Sequence, residues 1–373
     1  MRPFARPFVR ATHVVAVLGA ILLPSLLSAP RVVRAEDSVV VLRKVVGRVE
    51  IRVDAKSAWV AGAEGRKVPD NGRVRTAAAA SVELVFPDGS ESRMAERAEL
   101  IVHPDREKTK PSGVVLFFGR IWAKVAHRGE GSAGFEVRSA NAVAGVRGTE
   151  FEVGVADDGS TRVIVSDGRV AVSADADDKE VDVGAGYEVE GDGQGRLKSR
   201  SKAGQDPKWA SWFSARAKVL EKRGLEVAKN LNGRLDRRRD KVEKLLKAQK
   251  SLREAIERLE REAKMGRAVG PALKEKLAAL ERVTHRIEDM KRRLDAAFGM
   301  FERWGDVAGR GGFPGAKTLR AMAVDVSKIA RDFADMIEEG TDLSEEGMED
   351  MMEDMGKGKR DRPTQGADEE LFR

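Results

Sequence analysis

The chain has 373 residues, with 68 Lys and Arg against 61 Asp and Glu for a net charge of +7; 35% of residues are charged, 5% are aromatic and none is cysteine. That length calls for two or three domains, and so few aromatics among so many charges argue against one large globular enzyme and for a modest β core joined to charged helices. The missing thiols exclude disulfides, thiolate metal sites, cysteine nucleophiles and a lipid-modified cysteine.

Residues 1–13 carry Arg2, Arg6 and Arg10 and no acid, and an apolar run over 14–29 follows, interrupted by Pro24. The run is shorter than the roughly 20 residues that span a bilayer. It ends before Val33-Arg34-Ala35, where Val33 and Ala35 supply the small residues of a cleavage site. Residues 1–35 are therefore expected to be a secretory signal and the product periplasmic or extracellular. The alternative is an uncleaved anchor in the inner membrane.

Over residues 39–190 short alternating runs are punctuated by glycine, aspartate and proline, as in Val49-Glu50-Ile51-Arg52-Val53 and Val82-Glu83-Leu84-Val85-Phe86. Alternation of this kind marks half-buried strands. Ser166-Asp167-Gly168 joins two such runs as a tight hairpin, and Asp88-Gly89 marks another turn. A short theme recurs as Gly47-Arg48-Val49, Gly72-Arg73-Val74, Gly119-Arg120-Ile121 and Gly168-Arg169-Val170, which fits a layered β architecture. The expectation is one all-β domain, a sandwich or a short β-solenoid, with Trp59 and Trp122 in its core.

Within it, residues 139–155 read SANAVAGVRGTEFEVGV. Small apolar residues lead into Gly145-Val146-Arg147-Gly148-Thr149, after which Phe151, Val153 and Val155 alternate with Glu150, Glu152 and Gly154. The two glycines allow a turn or bulge between two strands. Arg147 at such a turn suits the carboxylate of a ligand, a peptide terminus or a sugar acid. The competing and preferred role is that Arg147 and Thr149 satisfy backbone groups and lock the turn.

The Arg-Gly-Thr stretch, together with Trp59, the Gly72-to-Thr76 run, Phe86-Pro87-Asp88-Gly89-Ser90 and Gly119-Arg120-Ile121, closely resembles the signature of FecR-type domains, in the family's order. The resemblance makes Trp59, Gly72, Thr76, Asp88, Gly89, Gly119, Gly148 and Phe151 fold-signature positions. It implies an extracytoplasmic β module that binds or senses a partner, without catalysis. Well-known members place a sigma-factor-controlling segment before one membrane helix; only 13 residues precede the apolar run here, so direct sigma-factor control is not expected.

Residues 191–207 lack periodicity and read as a linker. Past Pro207, Trp209, Trp212 and Phe213 open a helical stretch and are expected to dock it on the β domain. A heptad seam then runs through Ala228, Leu231, Leu235, Val242, Leu245, Leu252, Ile256, Leu259 and Ala263, with Arg238 and Gln249 as polar interruptions. Residues 266–271 break it, and a second seam follows through Leu273, Leu277, Leu280, Ile287, Leu294, Phe298 and Phe301. The expectation over 208–304 is an antiparallel coiled-coil hairpin, with parallel self-association as the alternative. Residues 316–339 read as a third amphipathic helix completing a three-helix region. Residues 340–373, acidic and Met-rich, are expected to be mostly disordered.

Catalytic and metal chemistry finds little support. His285 and Glu288 stand three apart on a helix without further histidines. Asp175, Asp177 and Asp178 start like a calcium loop but lack its later ligands. Ser199 and Lys202 lie in the linker without companion motifs, and phosphate-binding glycine loops are absent. No cofactor is expected. The partner is expected to be an envelope protein or glycan, with homodimerisation through the coiled coil. The alternative is a structural envelope protein whose basic helices contact anionic lipid, lipopolysaccharide or cell-wall polymer, a peripheral membrane contact. Nucleic acid is disfavoured, since the basic helices lack interleaved aromatics.

Overall fold

Among the described residues, alternation of β-branched and charged residues produces seventeen strands, most of them short, ahead of three long helices. The computed structural model describes residues 39–54, 56–104, 111–127, 134–174, 179–311 and 313–357. The expected signal at 1–35, the Asp175, Asp177 and Asp178 turn and residues 358–373 of the expected tail lie outside them. The strands are β1 (Val40–Val46), β2 (Val49–Arg52), β3 (Val60–Ala61), β4 (Lys67–Val68), β5 (Arg73–Thr76), β6 (Ser81–Val85), β7 (Glu91–Met94), β8 (Glu99–His103), β9 (Ser112–Lys124), β10 (Phe135–Arg138), β11 (Ala142–Val146), β12 (Glu150–Val155), β13 (Thr161–Asp167), β14 (Arg169–Ala174), β15 (Glu180–Gly184), β16 (Tyr187–Gly191) and β17 (Ser201–Lys202).

They form two sheets that share β9. Sheet A runs β4-β1-β6-β7-β9-β12-β13-β16-β17. Sheet B runs β3-β2-β5-β8-β9-β10-β11-β14-β15, with β9 and β10 parallel and the other pairs antiparallel. The first half of β9 pairs in sheet B and the second half in sheet A. The change of sheet falls at Gly119, whose φ of 96° suits glycine and where any Cβ would come within 2.5 Å of Ala98 Cα. Neither sheet closes into a barrel.

The same unit occurs twice. β5, β6, β7 and β8 pair as β11, β12, β13 and β14 do, and Asp-Gly-Ser turns the chain at the same place in both, at residues 88–90 and 158–160. Each aspartate accepts the backbone N–H of the serine two residues on, at 2.8 and 3.0 Å, and both serines are fully buried. The fold is thus a sandwich with a solenoid-like internal repeat, both forms that the alternation allowed. The inward faces bury Leu42, Ile51, Val74, Leu84, Ile121 and Phe151, and Phe86 meets Phe135 edge-on at 5.0 Å.

The helices are α1 (Trp209–Lys264), α2 (Gly270–Arg310) and α3 (Ala316–Lys357). α1 and α2 form an antiparallel hairpin, with Gly266 in the left-handed region and Pro271 at the first turn of α2 marking the corner. The two polar interruptions of the seam set its register. Arg238 donates to the Arg293 carbonyl at 3.2 Å, and Gln249, 2% exposed, donates to Thr284 Oγ1 at 3.0 Å. α3 contributes Leu319, Val326, Phe333 and Ile337 to the same core. It continues to Lys357, past Gly340, where the sequence reading began a disordered tail. The local reason is that Glu and Met are strong helix formers, and together they outweigh Gly340, Gly347 and Gly356.

α2 lies on the outer face of sheet B. There Ile101, Val115 and Phe117 pack with Ala296, so β9 is buried on both faces, and its run Val114-Val115-Leu116-Phe117-Phe118 is continuously apolar for that reason. Gly299 brings the α2 backbone against the Phe117 ring. Polar contacts surround this patch: Arg73 with Glu302 at 2.7 Å, Arg138 with Asp289 at 2.6 Å, and Trp304 Nε1 with the Asp157 carbonyl at 2.5 Å. Burying each large apolar side chain contributes about 2 kcal/mol, whereas Arg73 and Arg138 are themselves nearly buried, so desolvation of each guanidinium group offsets much of its attraction to the acid. The apolar patch therefore holds α2 down, and the charges fix its register.

The first turns of α1 dock separately, on sheet A. Trp209 covers Gly154, flanked by the guanidinium groups of Arg120 and Arg162 at 5.7 and 5.1 Å, while Trp212 Nε1 donates to Glu190 at 3.1 Å.

Candidate functional site

The Arg-Gly-Thr turn joins β11 in sheet B to β12 in sheet A. Gly148 takes φ 56°, and Thr149 next to it is 2% exposed, its hydroxyl 3.0 Å from both the Arg147 and the Arg169 carbonyls. Thr149 thereby stitches the turn to the β13–β14 corner and has no surface to offer a ligand. Thr76 does the same in the first unit, donating to the Ala95 carbonyl at 2.7 Å and accepting the Ala98 N–H at 3.0 Å. Thr149→Val should cost about 1–2 kcal/mol of stability, read as a lowered urea midpoint, because it removes a buried donor and strands two carbonyls. Binding at the surface of the turn should be unchanged in the folded fraction.

Arg147 points the other way. It is exposed at the rim of an open concavity of about 550 Å³. One cross-strand row makes the floor, with Glu136 opposite Gly145, Gly145 opposite Ala171 and Ala171 opposite Asp182. Arg169, close by on β14, is also exposed and lies 3.8 Å from Asp182. The small residues at the centre let a ligand approach the sheet backbone, with two guanidinium groups at one end and two carboxylates at the sides. This suits an extended segment bearing a carboxylate, which arginine binds through two parallel hydrogen bonds. It offers no nucleophile paired with a base.

Gly72, Gly89 and Phe151 of the signature sit at turn and core positions. Gly72 closes a turn in which a Cβ would meet Val68 Cγ1 at 2.5 Å. Gly89 has φ 83° in the first Asp-Gly-Ser turn, and Phe151 is fully buried. Trp59 and Trp122 correct the reading that placed them in the core. Both stand half-buried on outer sheet faces, Trp59 between the guanidinium groups of Arg52 and Arg75 at 4.9 and 4.0 Å, and Trp122 under Arg93 at 5.2 Å with Nε1 donating to Glu150. Trp122 alternates along β9 with buried Ile121 and Ala123, so it must face outward. His285 sits on a solvated helix face, 3.9 Å from Glu281 and 3.6 Å from Glu288. Among the described residues no group of three or more His, Cys, Asp or Glu is placed to hold a metal.

One residue of the central stretch had no assigned role. Asn141, 2% exposed in the β10–β11 turn, donates to the Gly159 carbonyl at 2.7 Å and to the Gly193 carbonyl at 3.3 Å, and accepts from Arg234 of α1. Arg234, 6% exposed, also donates to the Gln194 carbonyl at 2.7 Å. An asparagine in a run of small residues, and an arginine near the apolar seam, were the signals for this joint.

Residues 72–171, from the turn before β5 to the middle of β14, match the family model described as FecR protein. The chain carries a FecR domain. The matched residues hold both copies of the repeated unit, both threonine stitches and the Arg147 concavity. No curated protein matches this chain. Two crystal structures of a "putative anti-sigma factor" from Parabacteroides distasonis, at 1.65 and 2.50 Å, are similar at 17% identity and a TM-score of 0.32. The alignments cover 38% of this chain and 64% and 63% of those chains, so this chain spans less than two thirds of their length. No helix among the described residues is long and apolar enough to cross a membrane.

Proposed function

We propose that this protein is an exported, non-enzymatic regulatory protein of the cell envelope whose FecR domain recognises a protein or glycan ligand. In this reading the helical region steadies the domain and assembles it into a homodimer through the hairpin. The observation that carries it is the contrast between neighbours in one turn: Thr149 is buried and holds the fold, while Arg147 is exposed beside a small-residue floor that α2 leaves open. The ligand is expected to present a carboxylate on an extended segment, and Arg147 and Arg169 to bind it.

Complementation tests this. In the source bacterium, deletion should change a defined set of transcripts, wild type should restore them, and R147A/R169A should behave as the deletion although the variant is exported and folded. Full restoration by that variant would remove the concavity from the function.

A second reading, a structural protein bound to anionic lipid, lipopolysaccharide or cell-wall polymer, is favoured by Lys241, Lys244, Lys247 and Lys250 of α1. All four are exposed and make no ion pair among the described residues. Co-sedimentation with anionic vesicles that weakens steeply with salt would support it.

A further inference from the structure

A histidine lies buried where α2 meets sheet B. His103 ends β8 on the outer face of the sheet, two residues past Ile101, and is 5% exposed. Its Nδ1 lies 2.9 Å from Asp70 Oδ1 in the turn before β5, so Nδ1 carries the ring proton and donates it to the carboxylate. Nε2 is buried with no hydrogen-bond partner. A second proton there would create a buried charge with nothing to donate to.

The surroundings oppose that charge. From α2, Lys291 donates to Asn71 Oδ1 at 3.2 Å and to Asp295 at 2.9 Å, and Lys291 and Arg292 both repel a charged His103 ring. From the turn, Asp70 attracts it, but Asp70 also accepts the Asn71 N–H at 3.0 Å and Nδ2 at 3.2 Å. Opposite His103 on β9 stands uncharged Gly113, and beyond it on β10 Glu136 is paired with Arg138 at 2.6 Å. Burial chiefly lowers the His103 pKa below the ordinary imidazole value; Asp70 opposes this, and Arg292 and Lys291 add to it. Once α2 lifts, water reaches the ring, which then binds a proton near pH 6.5 as an ordinary histidine does, at about the usual value. The open form therefore holds more protons than the closed one. The closed form keeps its full advantage above about pH 6.5 and loses it as the pH falls through that value.

We propose that the contact between α2 and sheet B is an acid-sensitive latch, in which protonation of His103 lifts α2 and uncovers Ile101, Val115 and Phe117. These side chains make a contiguous apolar patch under Ala296, and such a patch, once open, is a surface for a partner. In an exported chain the acid comes from the surroundings. That occasion rests on the export proposed above, whereas the latch is a property of the isolated chain.

The absence of native cysteine lets one thiol report the lifting of α2. Ala296 is fully buried against sheet B, and Ala123 is fully buried inside the sandwich. In A296C the rate of labelling by N-ethylmaleimide, divided by the rate in the urea-unfolded chain at the same pH, should rise about tenfold from pH 7.5 to pH 5.5. The same ratio in A123C should change by less than about twofold, because the sandwich stays closed. H103N in the A296C chain should remove the pH dependence, whatever its absolute rate. No rise in A296C, an equal rise in A123C, or a rise that survives H103N would each overturn the latch. In the unsubstituted protein, ring NMR of His103 should still show the neutral Nδ1–H tautomer at about pH 6. A ring that is charged there with α2 in place would overturn it as well.

Discussion

Gly299→Leu is expected to be among the most damaging single substitutions in the protein, with a loss of about 3 kcal/mol or more. Helix propensity alone predicts the reverse, since replacing glycine inside a helix gains up to about 1 kcal/mol. Packing decides the sign. A Cβ at residue 299 would fall inside the contact shell of the Phe117 ring, and Phe117, 1% exposed, is held from the side by Arg73 at 4.6 Å. The ring cannot yield without disturbing Arg73 and its partners Glu99 and Glu302, so α2 must lift and expose Val115 and Ile101. Gly309→Ala, in the same helix with nothing within 4 Å of its Cβ position, is the control and should stabilise by about 0.5–1 kcal/mol. Urea unfolding of both variants checks the pair; a leucine at residue 299 as harmless as the alanine at 309 would mean that α2 does not rest on sheet B as described.

Asn141→Leu should cost about 3–5 kcal/mol, because it strands the Gly159 and Gly193 carbonyls and leaves the buried Arg234 charge short of an acceptor. The loss should be strongly non-additive with the partner. N141L/R234M, which removes both the asparagine and the charge, should be clearly more stable than the sum of the single losses predicts, with a coupling of about 1 kcal/mol or more in a double-mutant cycle. Additive losses would show that the two side chains act independently and that the joint between the FecR domain and α1 lies elsewhere.

Much of this architecture is written locally. The strands announce themselves by alternation because one face of each is buried, and the helix seams by heptads because α1 and α2 pack lengthwise. Asp88-Gly89 and Ser166-Asp167-Gly168 mark turns because aspartate and glycine satisfy a bend that few other residues can. What escaped was decided between elements. Glycine at 299 reads as a weak spot in a helix until the Phe117 ring is seen beneath it. The apolar run 114–118 signals burial on both faces, but which helix lies over it depends on contacts distant in sequence.

The site was half legible for the same reason. The Arg-Gly-Thr pattern located the turn, but not that its residues face opposite ways: Thr149 is buried against two carbonyls, while Arg147 is exposed beside the concavity. Separating them takes the strand register, which a shift of one residue would reverse. The sequence reading places Trp59 and Trp122 in the core as fold determinants rather than ligand platforms. Their neighbours Arg52, Arg75 and Arg93 meet them on the outer faces instead, where a guanidinium group covers an indole as a core wall would.

In-cell photocrosslinking tests the recognition role of the FecR domain most directly. A photoreactive phenylalanine at Ala171, on the floor of the concavity, should give one discrete adduct in intact cells of the source bacterium, lost in the R147A/R169A background. The same residue at Lys250, on the exposed face of α1, should give none. An adduct from the α1 position with none from the floor would contradict recognition by the FecR domain and move the binding role to the helical arm.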